Sequence, residues 1–219
     1  MDDALFPVPA SPVEVAPGAV HVPGWLDPDE QRELVELCRT WARGPGGMTR
    51  HRTRGGTMSV AMTPLGWYWR PYRYCAALPD GSPVPPLPPV LGRLALRGLA
   101  AAYGAVPDPA PDYDVALVNF YGPGATMGMH QDRDERCDAP VVSVSLGDAC
   151  VFRFGNTATR TRPYTDVELR GGDLFVFGGP SRWAYHGVPR TFPGTADPRT
   201  GRRSGRFNIT VRASGLRRG

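Results

Sequence analysis

From Val115 onward the chain consists of short segments of β-strand character that are separated by glycine-rich turns. These segments cover residues 115–121, 141–147, 150–154, 166–169, 173–177 and 205–213. Short strands joined by tight turns are typical of an antiparallel sandwich or barrel. Upstream, residues 26–43 and 90–103 have apolar side chains at helical spacing, and Asp27 and Pro28 supply a helix-start signal. The pattern predicts a mostly β fold with flanking helices, of the α+β class.

The composition is that of a globular protein with a sizeable core. The 219 residues are 41% hydrophobic and 21% charged, which suits a single domain. A net charge of +4 is compatible with a nucleic-acid partner but is too small to argue for one. We predict no membrane span and no secretory signal, because no long apolar run occurs and the N-terminus is acidic and interrupted by proline. Four cysteines without metal-binding spacing favour free thiols in a cytoplasmic protein, expected to be a monomer.

Three residues in the second half of the chain could bind a metal ion together. His130 and Asp132 are two residues apart, so both side chains point to one side of an extended segment. His186 follows an apolar strand further downstream. Each signal is weak alone, because such residues more often belong to polar loops or to hydrogen-bonded cores. Two imidazoles and one carboxylate with open positions predict the facial triad of non-haem Fe(II) oxygenases.

Two strands carry polar side chains on one face and apolar side chains on the other. Asn119 and Tyr121 share a face of the first strand, and Arg206, Asn208 and Arg212 share a face of the last. A solvated edge strand would give the same alternation. If the polar faces instead point into a barrel, the arginines need anionic partners, and a small dicarboxylate would supply them.

The segment GWYWRPYRY (66–74) interleaves aromatic and basic side chains, and Arg50, Arg52 and Arg54 precede it in a loop. Aromatic rings next to guanidinium groups suit stacked bases and phosphates. A hairpin whose rings pack on the core is the alternative, and composition alone favours it.

The succession of these motifs resembles AlkB, the bacterial type of Fe(II)- and 2-oxoglutarate-dependent nucleic-acid demethylase. The resemblance runs from about residue 18 to residue 215. It is strongest in TMSVAMT, NFYGPGATMGMHQDRDE, APVVSVSLG, FRFG, GGDLFVFGGPSRWAYHGV and RFNITVR. Several separate motifs agree in order and spacing, which makes the resemblance specific.

The resemblance implies a double-stranded β-helix (jelly-roll) core with an N-terminal nucleotide-recognition lid. A proline-rich arm would cover residues 1–17 and a single dioxygenase domain residues 18–219. Within that domain the lid would cover about residues 45–89 and the catalytic core about residues 112–215.

The resemblance also implies roles for individual residues. Fe(II) would be held by His130, Asp132 and His186. The cosubstrate 2-oxoglutarate would be bound by Asn119, Tyr121, Arg206, Asn208 and Arg212. Trp67 would stack on a flipped-out base, and Asp134 would contact the exocyclic amine of that base. Tyr74 or Tyr72 would contact a phosphate, and Arg160 or Arg162 would contact the substrate.

The implied activity is oxidative demethylation of bases such as 1-methyladenine and 3-methylcytosine in DNA or RNA. It would consume 2-oxoglutarate and O₂, and release formaldehyde, succinate and CO₂. The target base would be single-stranded or flipped out of a duplex, since a stacked base is out of reach. Three alternatives stay open: an oxygenase with another substrate, a non-catalytic nucleic-acid-binding module, and a jelly-roll domain with a different metal.

Overall fold

The computed structural model describes residues 11–53 and 55–217. In chain order its strands and helices are β1 Val13–Ala16, β2 Ala19–Val22, α1 Pro28–Arg43, β3 Arg52–Thr53, β4 Gly56–Thr57, β5 Ala61–Leu65, β6 Tyr68–Arg70, β7 Arg73–Cys75, α2 Pro89–Tyr103, β8 Val115–Tyr121, β9 Met127–His130, β10 Val141–Gly147, β11 Ala149–Phe154, β12 Thr165–Leu169, β13 Leu174–Phe177, β14 His186–Phe192 and β15 Arg206–Arg212. Short 3-10 turns lie at Gly179–Ser181 and Pro198–Thr200.

Two antiparallel sheets face each other across a cavity. The larger sheet has seven strands in the order β1-β2-β13-β10-β15-β8-β5, and the smaller has four in the order β12-β11-β14-β9. From β8 to β15 the strands alternate between the sheets, as in a jelly roll, except that β11 and β12 both lie in the smaller sheet. The predicted fold class, a mostly β core with flanking helices, is confirmed.

The two helices cover the outer face of the larger sheet. Helix α1 begins with a complete capping box, in which the Asp27 side chain accepts from the backbone of Glu30 and the Glu30 side chain accepts from the backbone of Asp27. Helix α2 ends at Gly104, which takes the left-handed conformation that a helix C-terminus favours. Both predicted helices are confirmed, and their buried side chains pack on the apolar face of the sheet.

Strand β15 lies in the middle of the larger sheet, between β10 and β8. Its apolar residues Phe207, Ile209 and Val211 belong to the core beneath the helices. Its polar residues face the cavity and are themselves buried. The solvated edge strand considered from the sequence is therefore excluded.

Some strands differ from those expected. The sequence of TMSVAMT (57–63) predicts one strand, but β4 ends at residue 57 and β5 begins at residue 61. Strands β9 and β14 were not expected, because their few residues are rich in glycine and proline and gain their order from pairing with each other. Strand β1 pairs with β2 and lies inside the expected N-terminal arm. Residues 1–10 and Arg54 lie outside the described residues, and the domain boundaries stay a prediction.

The hairpins β3–β4 and β6–β7 lie beside the mouth of the cavity and contribute to its lining. In the described part of the chain, no helix is both long enough and apolar enough to cross a lipid bilayer.

Candidate active site

The cavity between the sheets has a volume of about 940 Å³ and is open at one end. Its wall contains nearly all of the side chains selected from the sequence. Those side chains are Asn119, Tyr121, His130, Asp132, Asp134, Arg160, His186, Arg206, Asn208 and Arg212.

Three of these residues converge on one point. His130 on β9 and His186 on β14 are directly paired across the smaller sheet. Asp132 follows β9, with its Oδ1 3.7 Å from His130 Nε2 and its Oδ2 3.7 Å from His186 Nε2. One ligand atom from each residue lies within 4.8 Å of the other two. The sequence had predicted this convergence, and strand pairing produces it.

Backbone carbonyls fix the orientation of both imidazoles. His130 Nδ1 lies 2.9 Å from the Gly128 carbonyl, and His186 Nδ1 lies 3.0 Å from the Ala184 carbonyl. A carbonyl oxygen only accepts, so each Nδ1 carries the hydrogen and each Nε2 presents a lone pair. This arrangement is usual for metal-ligating histidines.

The surroundings of the cluster favour an ionised Asp132 and a neutral His186. Burial raises the pKa of Asp132, but Arg212, His186 and His130 outweigh it and bring the pKa to about 2. Burial and the nearby His130 lower the pKa of His186 to about 4. Metal ligands must be deprotonated, and at neutral pH these two are.

Arg206 lies at the closed end of the cavity and is 1% exposed. Its Nη2 donates to Ser145 Oγ at 2.8 Å, while its Nε has no partner. Among the described residues no carboxylate lies within 4.0 Å of this guanidinium. A buried cation without an anion is costly, so the site fits a carboxylate that comes from a ligand.

The neighbouring strand β8 adds further polar groups to the same wall. Asn119 lies opposite Asn208, and its Nδ2 donates to Asn208 Oδ1 at 3.4 Å. Its own Oδ1 is buried without a partner. Tyr121 lies opposite Arg206 in the same ladder. These groups, together with the His-Asp-His donor set, fit Fe(II) and a small dicarboxylate.

Arg212 is placed differently from Arg206. Its Nη2 lies 2.8 Å from Asp132 Oδ2, and its Nη1 donates to the Tyr74 hydroxyl at 3.0 Å. Glu135 Oε1 lies 3.4 Å from the same Nη1. The Nε of Arg212 is buried without a partner, and the strongest contact of this side chain is with the Asp132 carboxylate.

The residue expected to stack on a base, Trp67, does not face this cavity. It lies in the bend between β5 and β6, is 6% exposed, and its Nε1 donates to Asp114 Oδ2 at 2.8 Å. Trp69 lines the cavity instead, and its Nε1 donates to Asp134 Oδ2 at 2.7 Å. The expectation for Trp67 was wrong because Gly66 turns the chain at a φ of +82°, with its Cα packed against the backbone of Asp114.

The sequence could not choose between Tyr72 and Tyr74, or between Arg160 and Arg162. Their positions in the structure distinguish them. Tyr72 lies at the hairpin turn, is 60% exposed and lines the cavity, whereas Tyr74 belongs to the buried contacts of Arg212. Arg160 lines the cavity and lies over Tyr185, with 5.8 Å from its Cζ to the ring centroid. Arg162 packs over Tyr164 and is not part of the lining. Tyr72 and Arg160 are therefore placed to meet a substrate.

Comparison with known proteins agrees with this site. A family model described as the 2OG-Fe(II) oxygenase superfamily matches residues 18–212. The α-ketoglutarate-dependent dioxygenase AlkB homolog of Caulobacter vibrioides is 42% identical over 210 residues, which cover 93% of this chain and 90% of the relative. The chain belongs to the AlkB family. It is thus a dioxygenase that requires Fe(II), 2-oxoglutarate and O₂.

Two further AlkB relatives extend the comparison. The DNA N(6)-methyladenine demethylase ALKBH1D of Arabidopsis thaliana is 30% identical over 220 residues, covering 90% of this chain and 50% of the relative. The solved structure of OsALKBH1 superposes with a TM-score of 0.83 at 31% identity, covering 92% of this chain and 99% of that one.

Two residues beside the AlkB site were not selected from the sequence. His51 is 8% exposed and meets Trp69 edge-on, with 5.3 Å between ring centroids. Gln131 donates from its Nε2 to the carbonyls of Trp183 and Thr157, which ties the metal-ligating segment to two neighbouring loops. No local pattern marks either residue, since their partners are distant in sequence.

Proposed function

We propose that this protein oxidatively demethylates N-methylated bases of the 1-methyladenine and 3-methylcytosine type in nucleic acid. The observation that carries the proposal is the pairing of Trp69 with Asp134 at the mouth of the cavity, beside the His-Asp-His cluster. An aromatic ring and a carboxylate at this place suit a flat base whose methylated form carries a positive charge.

The metal and the cosubstrate would occupy the inner part of the cavity. His130, Asp132 and His186 would hold Fe(II). Arg206 would bind the distal carboxylate of 2-oxoglutarate, in agreement with its burial and its lack of an anionic partner. Asn119, whose Oδ1 has no partner, would contribute to the polar wall with Tyr121, Asn208 and the Nε of Arg212.

The base would occupy the outer part of the cavity. Trp69 holds one oxygen of Asp134, so the other oxygen is available for the exocyclic amine of the base. Tyr72 and Arg160 would contact the flanking backbone. Because a cavity between two sheets cannot admit a duplex, the base must be single-stranded or flipped out.

The chemistry supplied by bound Fe(II), 2-oxoglutarate and O₂ is oxidative decarboxylation coupled to hydroxylation of the N-methyl carbon. The hydroxylated product then loses formaldehyde, and succinate and CO₂ are the other products. The role of the protein is to orient the methyl group toward the metal and to keep His186 neutral.

We also infer a monomer that acts in the cytoplasm. All four cysteines are free thiols, as expected in a reducing compartment. Among the described residues, the large hydrophobic side chains that are exposed are Val13, Tyr72 and Tyr103, which are too few to form an apolar association surface.

Formaldehyde release from a single-stranded oligonucleotide that carries 1-methyladenine or 3-methylcytosine tests the proposal. We expect release only with Fe(II), 2-oxoglutarate and O₂ together, and none from His130→Ala. Succinate formation without demethylation would show that the substrate lies outside the methylated bases. Folded, iron-loaded protein that gives neither product would contradict turnover and favour a binding module.

A further inference from the structure

Two facing side chains of the β6–β7 hairpin donate hydrogen bonds to two consecutive acidic residues. Trp69 and Tyr74 are direct cross-strand partners, and such partners project from the same face of a hairpin. Trp69 donates to Asp134, and the Tyr74 hydroxyl donates to Glu135 Oε1 at 2.6 Å. A single rung of the hairpin therefore fixes the segment that carries the metal-ligating Asp132.

The contact through Tyr74 continues to the metal site. The Tyr74 hydroxyl accepts from Arg212 Nη1 at 3.0 Å, and Arg212 Nη2 lies 2.8 Å from Asp132 Oδ2. The side chains of Glu135, Asp132 and Arg212 are 0%, 5% and 8% exposed. These contacts are hardly screened by solvent, because effective dielectric constants are low in such surroundings.

The far side of the segment is held rigidly by a second arginine. Arg182 is 1% exposed, and its Nη2 lies 3.2 Å from Glu135 Oε2. Its Nη1 donates to the Asp132 carbonyl and its Nε to the Ala139 carbonyl. The carboxylates of Asp132 and Glu135 balance the charges of the Arg182 and Arg212 guanidinium groups. Hydrogen bonds then decide how each group is oriented.

We propose that Tyr74 is a positioning residue through which the β6–β7 hairpin fixes the carboxylate of Asp132. The phenol contacts both Arg212 and Glu135, whose Nη1 and Oε1 atoms lie 3.4 Å apart. Without the hydroxyl, Glu135 draws the guanidinium toward itself and the hold on Asp132 loosens. A hairpin that also meets the base is thereby linked to the metal site.

The test is a titration of the full-length protein with Co(II), with and without 2-oxoglutarate, followed by the d–d absorption spectrum. Tyr74→Phe removes only the hydroxyl. Tyr103→Phe is the matched control, since Tyr103 is the last residue of α2 and its hydroxyl donates to the Gly18 carbonyl, outside these contacts. Outer-shell partners typically contribute about 10- to 100-fold to metal affinity, and we expect about the lower end for this more remote group.

We expect Tyr74→Phe to weaken Co(II) binding and change the spectrum, and Tyr103→Phe to leave both as in the wild type. Equal melting temperatures in the two variants would separate positioning from general destabilisation. Should Tyr74→Phe not fold, Glu135→Gln tests the same competition from the other side. It removes the charge that draws Arg212 away from Asp132, so Co(II) binding should be as tight as in the wild type or tighter. Wild-type affinity and spectrum in folded Tyr74→Phe, or weaker Co(II) binding in folded Glu135→Gln, would overturn the proposal. No nucleic acid is used, so the result is independent of the proposed substrate.

Discussion

His130 and His186 are paired directly across the β9–β14 ladder, with 4.5 Å between their ring centroids. Cross-strand pairing thus brings together two imidazoles from distant parts of the chain, and Asp132 adds the third ligand one strand-step later. Two of the three proposed metal ligands therefore lie in the smaller sheet, and Asp132 lies in the segment that follows β9.

Loss of one imidazole should abolish metal binding with little effect on folding. The side chain of His130 is 38% exposed, so His130→Ala leaves no deep cavity. We expect Co(II) affinity to fall by more than the about 100-fold that loss of an outer-shell partner can cost. His51→Ala, which lies outside the cluster, should keep wild-type metal affinity. Isothermal titration checks both variants.

Replacing Arg206 should separate cosubstrate binding from stability. Arg206→Met removes a buried cation that has no anionic partner among the described residues, so the melting temperature should stay the same or rise. Loss of the carboxylate contact should cost about 2–5 kcal/mol, at least about 30-fold in 2-oxoglutarate affinity. Arg190→Met, at an exposed position of β14, is the control. A marked fall in stability would contradict this account of Arg206.

Substitution of Trp69 should change the KM for the substrate, whereas substitution of Trp67 should change the stability of the protein. Trp69→Ala should raise the KM for a methylated oligonucleotide, because stacking of a base is worth about 1–3 kcal/mol. Trp67→Phe should lower the free energy of unfolding by about 1–3 kcal/mol through loss of the Asp114 contact, with an unchanged KM. Phenylalanine is chosen because Trp67→Ala would cost about 3–5 kcal/mol. The reverse pattern would restore Trp67 as the base-stacking residue.

Arg160 and Arg162 offer a matched pair for the substrate contact. If Arg160 meets a phosphate, Arg160→Gln should reduce the slope of log K against log salt for a single-stranded oligonucleotide by about 0.7. Arg162→Gln should leave the slope unchanged, because Arg162 is not part of the cavity lining. Equal effects would mean that both act only through overall charge.

Stability should fall in mild acid, in part because of His51. Burial lowers the pKa of His51 below its ordinary 6.5, so the unfolded chain takes up this proton first. The contribution of His51 to the free energy of unfolding is fully present above pH 6.5 and is lost as the pH falls toward the pKa of His51 in the folded protein. His51→Gln should therefore lose less melting temperature between pH 7.5 and pH 5.5. His186 titrates in both proteins, so the difference isolates His51; an identical loss would argue against its burial.

The sequence by itself determined both helices, most strands of the core and the polar side chains of the cavity. Alternation along β8 and β15 placed polar side chains on one face, because successive residues of a strand point to opposite sides. The capping signal at Asp27 placed the start of α1. The His-x-Asp spacing and the later histidine predicted a metal site.

Tertiary structure decided everything that depends on long-range pairing. Local pattern could not tell whether β15 was an edge or a central strand, because both alternate in the same way. It could not choose Trp69 over Trp67, since the outcome depends on how closely the bend at Gly66 approaches Asp114. It also could not show that Arg212 is shared among Asp132, Glu135 and Tyr74. Buried charges take the partners that folding brings within reach, and those partners lie far away in the sequence.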